Sequence, residues 1–447
     1  MTELTNDESI VDEPSSRFEM SKRANELRKN GKLAEALPLY RELLKDDSDS
    51  YSAAGLLHCL RKLRLFDEAL SLCTPASHKH MLLDWYRKEV IWTLIQGKLR
   101  VMDDTASVPE VVSVAKSILA LEPKDYSARW RTVHPVLKKA RGHKKWDIVF
   151  EWAEKVTPDE LSTAPMKDDR ERDGWCERAV WYNYRIRSMI EVGDREQAIK
   201  LALEAANLFP RQAKFFKRLE ALAQFRLGRF AEAEWLYGKL TIGGRPDWWI
   251  LKEHGHVLKE LGRSRDALTT MSKAALSNRK LEAMVSLFSD IGFLCRQTDL
   301  KQDARNHLLL SKHIREKNGW TVSQAISVGI TELDDELADL LGPGDFDSIL
   351  VECRKFWRRT VGAQYDSHEP SLKSREVKKM LKGTLKMGPP ERSYCFLHSS
   401  GRDSYFCLKS DLPNGVTDGV TLKFDAMPSF DKKKNQESWK AINVCTM

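Results

Sequence analysis

Glu391 to Val444 reads ERSYCFLHSSGRDSYFCLKSDLPNGVTDGVTLKFDAMPSFDKKKNQESWKAINV. Four short runs in it, Ser393–His398, Ser404–Leu408, Val420–Ala426 and Ser438–Val444, alternate inward and outward residues. The breaks between them carry Gly, Pro, Asp, Asn or Lys, the chemistry of turns. This pattern predicts a small barrel of short antiparallel strands, with about one more strand needed to close it. On the first two runs Tyr394, Phe396 and Tyr405 fall at period-two spacing, which places them on one face with Phe406 pointing the other way. Arg392, Arg402, Lys409 and Lys423 surround them. Such a surface suits single-stranded nucleic acid, in which each base stacks on a ring for about 1–3 kcal/mol while cations meet the phosphates. The plainer alternative is that Phe396 and Phe406 fill the barrel core.

At these residues the chain resembles the cold-shock domain, a nucleic-acid binder with an OB fold. The family's first motif, Lys-Gly-aromatic-Gly-Phe-Ile, corresponds to Arg392-Ser393-Tyr394-Cys395-Phe396-Leu397. The second, Asp-Val-Phe-aliphatic-His, corresponds to Asp403-Ser404-Tyr405-Phe406-Cys407, followed by an inserted Lys409 and by Ser410-Asp411-Leu412. The strand Gly419-Val420-Thr421-Leu422-Lys423-Phe424 and the closing Lys440-Ala441-Ile442-Asn443-Val444 are similar to that family as well. Both motif glycines are replaced and Cys407 stands at the stacking histidine. The resemblance covers about one eighth of the chain and implies an OB barrel that binds single-stranded RNA or DNA.

The chain has 447 residues and a formal charge of +8, enough length for two or three domains. From Val351 onward there are 18 Lys and Arg against 11 Asp and Glu, so nearly all the excess lies beside the aromatic runs, as a footprint for nucleic acid would. The eight cysteines form no CxxC pair, and no apolar run reaches the length of a membrane span. A cytoplasmic protein with reduced thiols and no membrane association is expected. Cys395 and Cys407 sit at equivalent heights on the first two barrel strands.

Met1 to about Ser16 is polar and acidic and is expected to be disordered. From Arg17 a helical pattern runs for more than 300 residues, and within it a short turn recurs. It reads Asn30-Gly31-Lys32-Leu33-Ala34-Glu35-Ala36, Leu65-Phe66-Asp67-Glu68-Ala69, Gly193-Asp194-Arg195-Glu196-Gln197-Ala198, Gly228-Arg229-Phe230-Ala231-Glu232-Ala233 and Gly262-Arg263-Ser264-Arg265-Asp266-Ala267. Ala36 and Ala69 are 33 residues apart; Ala198, Ala233, Ala267 and Ala304 are spaced by 35, 34 and 37. This period and these residues are similar to tetratricopeptide repeats, in which each unit is a helical hairpin. Gly ends the first helix in the left-handed conformation, and the small residue five later lets the second helix approach closely. Gly255 thins the first helix at the same crossing, and Tyr40, Leu43, Tyr237 and Leu240 fill the space to the next hairpin.

Between Met81 and Trp181 the register blurs. Gly97 and Gly142-His143-Lys144-Lys145-Trp146 are assigned to degenerate repeats. A polar loop is expected to split the array, with Trp130, Trp146, Trp152, Trp175 and Trp181 crowded around it as sealing side chains or as a groove for a peptide or base. Thr331–Leu341 and Phe346–Arg359 read as capping helices, with Thr331 and Asp345 or Asp347 as N-caps. The resulting map is 1–16 disordered, 17–160 helical repeats, 161–175 polar loop, 176–330 helical repeats, 331–360 capping helices, 361–391 basic linker and 392–447 barrel.

The chemistry that points to an enzyme is missing from the sequence. It contains no phosphate-binding GxxxxGK[ST] and no GxGxxG after a strand. His254 and His256 lie on different faces of a helix, and Arg305, His307 and His313, which suggest a nuclease-like set, are explained by a basic helix surface. The expected fold class is a mainly α tetratricopeptide-type solenoid followed by a five-stranded OB barrel. The expected function is a non-enzymatic adaptor without cofactor or metal. Arg392, Tyr394, Phe396, Tyr405, Lys409 and Lys423, with Lys378, Lys379 and Lys382 of the linker, would bind single-stranded RNA or DNA, and a protein or peptide would occupy the helical groove. The alternatives are a pure protein-interaction scaffold and a concealed RNA-cleaving activity.

Overall fold

The structure is a computed structural model and describes residues 17–45, 49–73, 75–102, 105–167, 171–242, 246–278, 280–338, 344–362, 378–389, 392–399, 403–413, 415–431 and 436–446. The acidic stretch 1–16, Arg402 and most of the expected linker lie outside these residues. The chain divides into two compact units, Met1–Arg263 and Ser264–Met447.

The first unit is helical hairpins throughout. The successive pairs are α1 (Arg17–Lys29) with α2 (Leu33–Leu43), α3 (Ser50–Lys62) with α4 (Phe66–Ser71), and α5 (Asp84–Leu94) with α6 (Val108–Leu119). Then come α7 (Tyr126–Gly142) with α8 (Trp146–Ala153), α9 (Glu177–Val192) with α10 (Arg195–Leu208), α11 (Ala213–Arg226) with α12 (Phe230–Thr241), and α13 (Trp248–Glu260). In five of these six pairs the turn is one backbone device. Gly31, Arg64, Lys144, Gly193 and Gly228 all have positive φ, between 56° and 111°. Five residues after each of these stands a fully buried residue: Ala36, Ala69, Val149, Ala198 and Ala233. The blurred register is thereby explained. In the fourth hairpin the left-handed residue is Lys144 rather than Gly142, and Val149 takes the place of alanine. Gly97 is no turn residue either: it lies in a π-helical turn, Ile95–Leu99, where a Cβ would meet the Phe66 ring at 2.8 Å.

The expected break at 161–175 is a surface excursion and not a seam. Leu161 and Cys176, at its two ends, are buried in the same core as Trp130, Trp152 and Trp181, and that core continues from Ile91 to Ala223. The loop closes on itself, with Met166 N–H donating to the Trp175 carbonyl at 3.3 Å. The tryptophans therefore act mainly as core, with Trp146 and Trp175 packed against it.

In the second unit α14 (Ser264–Ser277), α15 (Val285–Gln297), α16 (Lys301–Lys317), α17 (Gln324–Leu337) and α18 (Phe346–Val361) form a helical part, in which α18 packs on α14 and α16. Asp299 has φ 59° and is followed five residues later by buried Ala304, the same device. Thr331 is not an N-cap: it lies inside α17, its hydroxyl donating to the Ser327 carbonyl at 3.2 Å, and Ser323 occupies the cap. Asp345 caps α18, accepting from Ser348 N–H at 2.9 Å.

The expected basic surface at Arg305, His307 and His313 is not there. His307 is fully buried, its Nδ1 bonded to the Asp303 carbonyl at 2.7 Å and its Nε2 accepting from the Trp357 indole at 2.8 Å. Arg305 pairs with Asp334, and His313 Nε2 meets the Gly344 carbonyl.

The barrel completes this unit's chain. It consists of β1 (Lys378–Lys386), β2 (Tyr394–His398), β3 (Ser404–Leu408), β4 (Thr421–Asp431) and β5 (Gln436–Thr446), closed in the order β1-β2-β3-β5-β4. Only the β3–β5 pairing is parallel. The closing strand β1 lies within the stretch expected to be a linker. Its inward residues are Leu381, Gly383 and Leu385 and its outward ones Lys382, Thr384 and Lys386. A glycine at the central inward position hides the alternation. It is needed there, because a Cβ at Gly383 would meet the Phe424 ring at 3.0 Å and the His398 carbonyl at 3.1 Å.

Two outcomes test this account. At Gly228 no atom lies within 4 Å of an added Cβ, so only the backbone objects. Gly228→Asn should melt near wild type, whereas Gly228→Val should lose about 1–2 kcal/mol in a urea titration. Ala233→Leu overpacks a fully buried contact and should lose about 1–3 kcal/mol. The second outcome concerns His307. Burial lowers its pKa to about 4, against about 6.5 unfolded, so between those values the unfolded chain binds more protons. The stabilisation from keeping it neutral is complete above pH 6.5 and is lost as pH falls toward 4, up to about 3 kcal/mol. Urea midpoints across that window should show the decline, and His307→Gln should flatten it.

Candidate nucleic-acid interface

Strand pairing decides which rings of the barrel meet solvent. Across β2 and β3, Tyr394 faces Leu408, Cys395 faces Cys407, Phe396 faces Phe406, Leu397 faces Tyr405 and His398 faces Ser404. Cys395, Leu397, Tyr405 and Cys407 therefore point inward, and with Leu385, Leu422, Phe424 and Ala426 they make the core. Tyr394, Phe396, Phe406 and Leu408 point outward.

Two expectations are corrected by this register. Tyr405 is no outer ring: it is 2% exposed, its ring lies edge-on to Phe424 at 5.0 Å, and its hydroxyl donates to Asp403 at 3.2 Å. Burial first, and then the Asp403 charge, push its pKa up. Phe406 takes its place outside. The residue that pairs directly with an outward residue across an antiparallel ladder is also outward, and Phe406 pairs with Phe396. Read backward from Ser410-Asp411-Leu412 without an insertion, the second motif of the likeness agrees with this register. Phe406 then falls at the motif's aromatic position and Leu408 at its histidine position, and Lys409 needs no gap.

The outward rings form one cluster. Tyr394 and Phe396 have centroids 5.8 Å apart, Tyr394 and Phe406 5.6 Å, and Phe396 and Phe406 6.2 Å. Phe396 remains 37% exposed. Cations ring the cluster on named strands. Lys386 of β1 is the direct neighbour of Phe396, and Lys440 of β5 the direct neighbour of Phe406. The Arg392 guanidinium lies 5.7 Å from the Tyr394 ring centre. Lys409 Nζ donates to the Pro389 carbonyl at 2.9 Å, which ties the β1–β2 connection to the end of β3.

The other expected cations sit apart from the rings. Lys382 pairs with Lys423 across β1 and β4, both outward. Lys378 and Lys379 lie beyond a bulge at Met380, whose N–H donates to Asp425 at 2.9 Å. Lys378 is engaged there, 4.3 Å from the Trp439 ring centre and 3.8 Å from Asp403. Among the described residues Lys382, Lys386 and Lys423 have no carboxylate partner. Phe406, Lys386 and Lys440 are thus members of the surface that sequence reasoning left out.

Beneath the cluster, Cys395 Sγ lies 3.6 Å from the Cys407 carbonyl. Both thiols are free and fully buried, and burial pushes Cys407 up to about 12. They are core fillers under the platform.

Comparison with known proteins bears on the helices. Residues 21–74, which span most of α1 through α4, match the family model described as tetratricopeptide repeat. Comparison with curated proteins found no match. Among solved structures, a tetratricopeptide repeat protein from Parabacteroides merdae ATCC 43184 is similar over 61% of this chain and 96% of its own, at 12% identity and a TM-score of 0.30. A structure described as the MamA RS-1 ArsTM double mutant is similar over 48% of this chain and 98% of its own, at 12% identity and a TM-score of 0.29. The fold is mainly α, with tetratricopeptide-type hairpins followed by a closed five-stranded barrel. No helix among the described residues is long and apolar enough to cross a membrane.

The reversal of Tyr405 and Phe406 is directly testable. Tyr405→Ala should open a cavity and lose about 3–5 kcal/mol of barrel stability. Phe406→Ala, on the outside, should leave the barrel's melting within about 1 kcal/mol. Hydrogen exchange at the β2 and β3 amides across a urea titration gives the readout.

Proposed function

We propose that this chain is a non-enzymatic adaptor whose barrel binds single-stranded RNA or DNA while its helical repeats hold a protein partner. The observation that carries the first half is the outward cluster of Tyr394, Phe396 and Phe406, bordered by Lys386 and Arg392. Three outward rings on adjacent strands have no core to fill. They offer stacking surfaces, and the neighbouring cations meet a phosphate backbone. The strand order β1-β2-β3-β5-β4 supports an OB reading, in which the face of strands 2 and 3 receives oligonucleotides. The gap-free alignment of the second motif, with Phe406 outward, supports the likeness to cold-shock domains. On this reading the barrel, from Lys378 to Thr446, is a separate domain, and its nucleic-acid surface runs from Lys382 and Lys423 past Lys386 to Tyr394.

The second half rests on the repeats. Stacked helical hairpins present extended surfaces that bind other proteins, and the match at residues 21–74 supports that use here.

Fluorescence anisotropy with a labelled ten-nucleotide oligouridine tests the barrel. Phe396→Ala and Phe406→Ala should each weaken binding by about 1–3 kcal/mol without changing its salt dependence, because stacking releases no counterions. Lys382→Ala and Lys386→Ala should instead flatten the slope of log K against log salt by about 0.7 for each phosphate no longer neutralised. A folded wild-type protein that binds no single strand at low salt would leave the pure scaffold reading in its place.

A further inference from the structure

Along the first unit, several buried or half-buried arginines are matched by a carboxylate from a neighbouring hairpin. Arg61 donates to Glu89 at 2.6 and 2.9 Å, Arg218 to Glu253 at 2.7 Å, and Arg185 to Glu154 at 2.8 Å. Exposed cations gather at one place: between α5, its π-helical end and α7 lies a cavity of about 1080 Å³, just above the roughly 300–1,000 Å³ usual for ligand pockets.

The α7 wall is one helical face: Ser127, Arg131, His134 and Lys138, spaced by three or four residues, with Trp130 beside Arg131. The opposite wall is Trp92, Ile95, Gln96, Leu99 and Arg100, carried over the π-helical turn by Arg100 N–H donating to the Ile95 carbonyl at 2.9 Å. Such turns recur at functional sites. Among the described residues Arg100, Arg131 and Lys138 have no carboxylate partner, and Glu177 is the one acid in the lining. The uncompensated positive charge is felt locally: burial, then the charges of Lys138 and Arg131, lower the His134 pKa to about 4.

We infer that this cavity is the binding site for an acidic peptide segment of a protein partner, with carboxylates on Arg100, Arg131 and Lys138 and an aliphatic side chain on the floor formed by Ile95, Leu99 and Val111. The inference rests on the reading of the repeats as a protein-binding surface and names the partner's chemistry. Nucleic acid fits less well, because the cavity offers its bases no stacking platform on α7. The face of Trp130 is covered by His134, stacked at 4.9 Å. An aliphatic floor under cations suits alternating acidic and leucine side chains.

The test uses the full chain and three fluorescent probes: a peptide alternating glutamate pairs with leucine, its glutamine counterpart, and the ten-nucleotide oligouridine. The acidic peptide should bind at low salt, and the glutamine peptide at least about tenfold more weakly. The double variant Arg131→Glu, Lys138→Glu should weaken the acidic peptide by a similar factor. Both side chains are exposed, so its melting should match wild type. The same charge change at Lys116→Glu, Lys200→Glu, outside the cavity, should leave peptide affinity unchanged. Equal binding of both peptides, or equal losses from the two double variants, would overturn the inference. So would a cavity variant that loses the oligonucleotide and keeps the peptide, since the occupant would then be nucleic acid. Oligonucleotide binding that survives when peptide binding is absent sinks this inference alone. The converse leaves it standing and removes the barrel's proposed role.

Discussion

A left-handed residue at the end of one helix, followed five positions later by a small, fully buried one, organises the helical part of this protein. The left-handed turn reverses the chain within two or three residues, and the small residue lets the second helix settle against the first. Where the turn residue is glycine, at Gly31, Gly193 and Gly228, the conformation carries no Cβ penalty. Where it is Arg64, Lys144 or Asp299, the chain accepts a cost of about 1–2 kcal/mol that packing on both sides must offset. The close approach has a second form in which the glycine is indispensable. A Cβ on Gly55 would sit 2.3 Å from the Tyr40 ring, and one on Gly292 2.9 Å from Leu308. These are contacts between helices, and they resist enlargement for steric reasons and not for backbone ones.

Tight helix crossings leave polar side chains inside, and these are satisfied in pairs. Glu89 is the clearest case. Burial alone would push its carboxyl up, but the hydrogen bond from His58 and the charge of Arg61 outweigh it and hold the pKa below the usual range. Removing one partner of such a pair typically costs about 3–5 kcal/mol, because the other charge is left buried. The exposed cations beside α7 lie outside this constraint: among the described residues Arg100, Arg131 and Lys138 have no carboxylate partner. Paired arginines hold hairpins together, and the unpaired ones are free to meet something else.

The barrel depends on a different constraint, the alternation of side chains along a strand. Because the period is two, an error of one residue exchanges core for surface. Tyr405 and Phe406 are adjacent, both aromatic, and opposite in role. Local sequence carries little to separate them, since a tyrosine and a phenylalanine can each lie inside or outside. The pairing of Phe396 with Phe406 decides it, and that is a relation between strands ten residues apart. Lys386 is hard to find for a related reason: it closes a strand whose inward side includes Gly383, so the segment reads as a run of lysines with no apolar rhythm.

The repeat period, the hairpin turns, the mainly α class and a C-terminal barrel with four of its five strands can be read from the amino acids alone. These are properties of short windows, where a turn residue and a buried small residue, or an alternation of apolar and polar residues, are legible side by side. The folded chain was needed to establish that residues 378–386 close the barrel, that Phe406 rather than Tyr405 faces solvent, and that the tryptophans near residue 165 belong to a continuous core. It also decided that, among the described residues, Arg131 and Lys138 have no carboxylate partner while Arg61 and Arg218 do. In each of these cases the answer lies in which neighbour a side chain meets across a strand ladder or a helix crossing, and those partners are far apart along the chain.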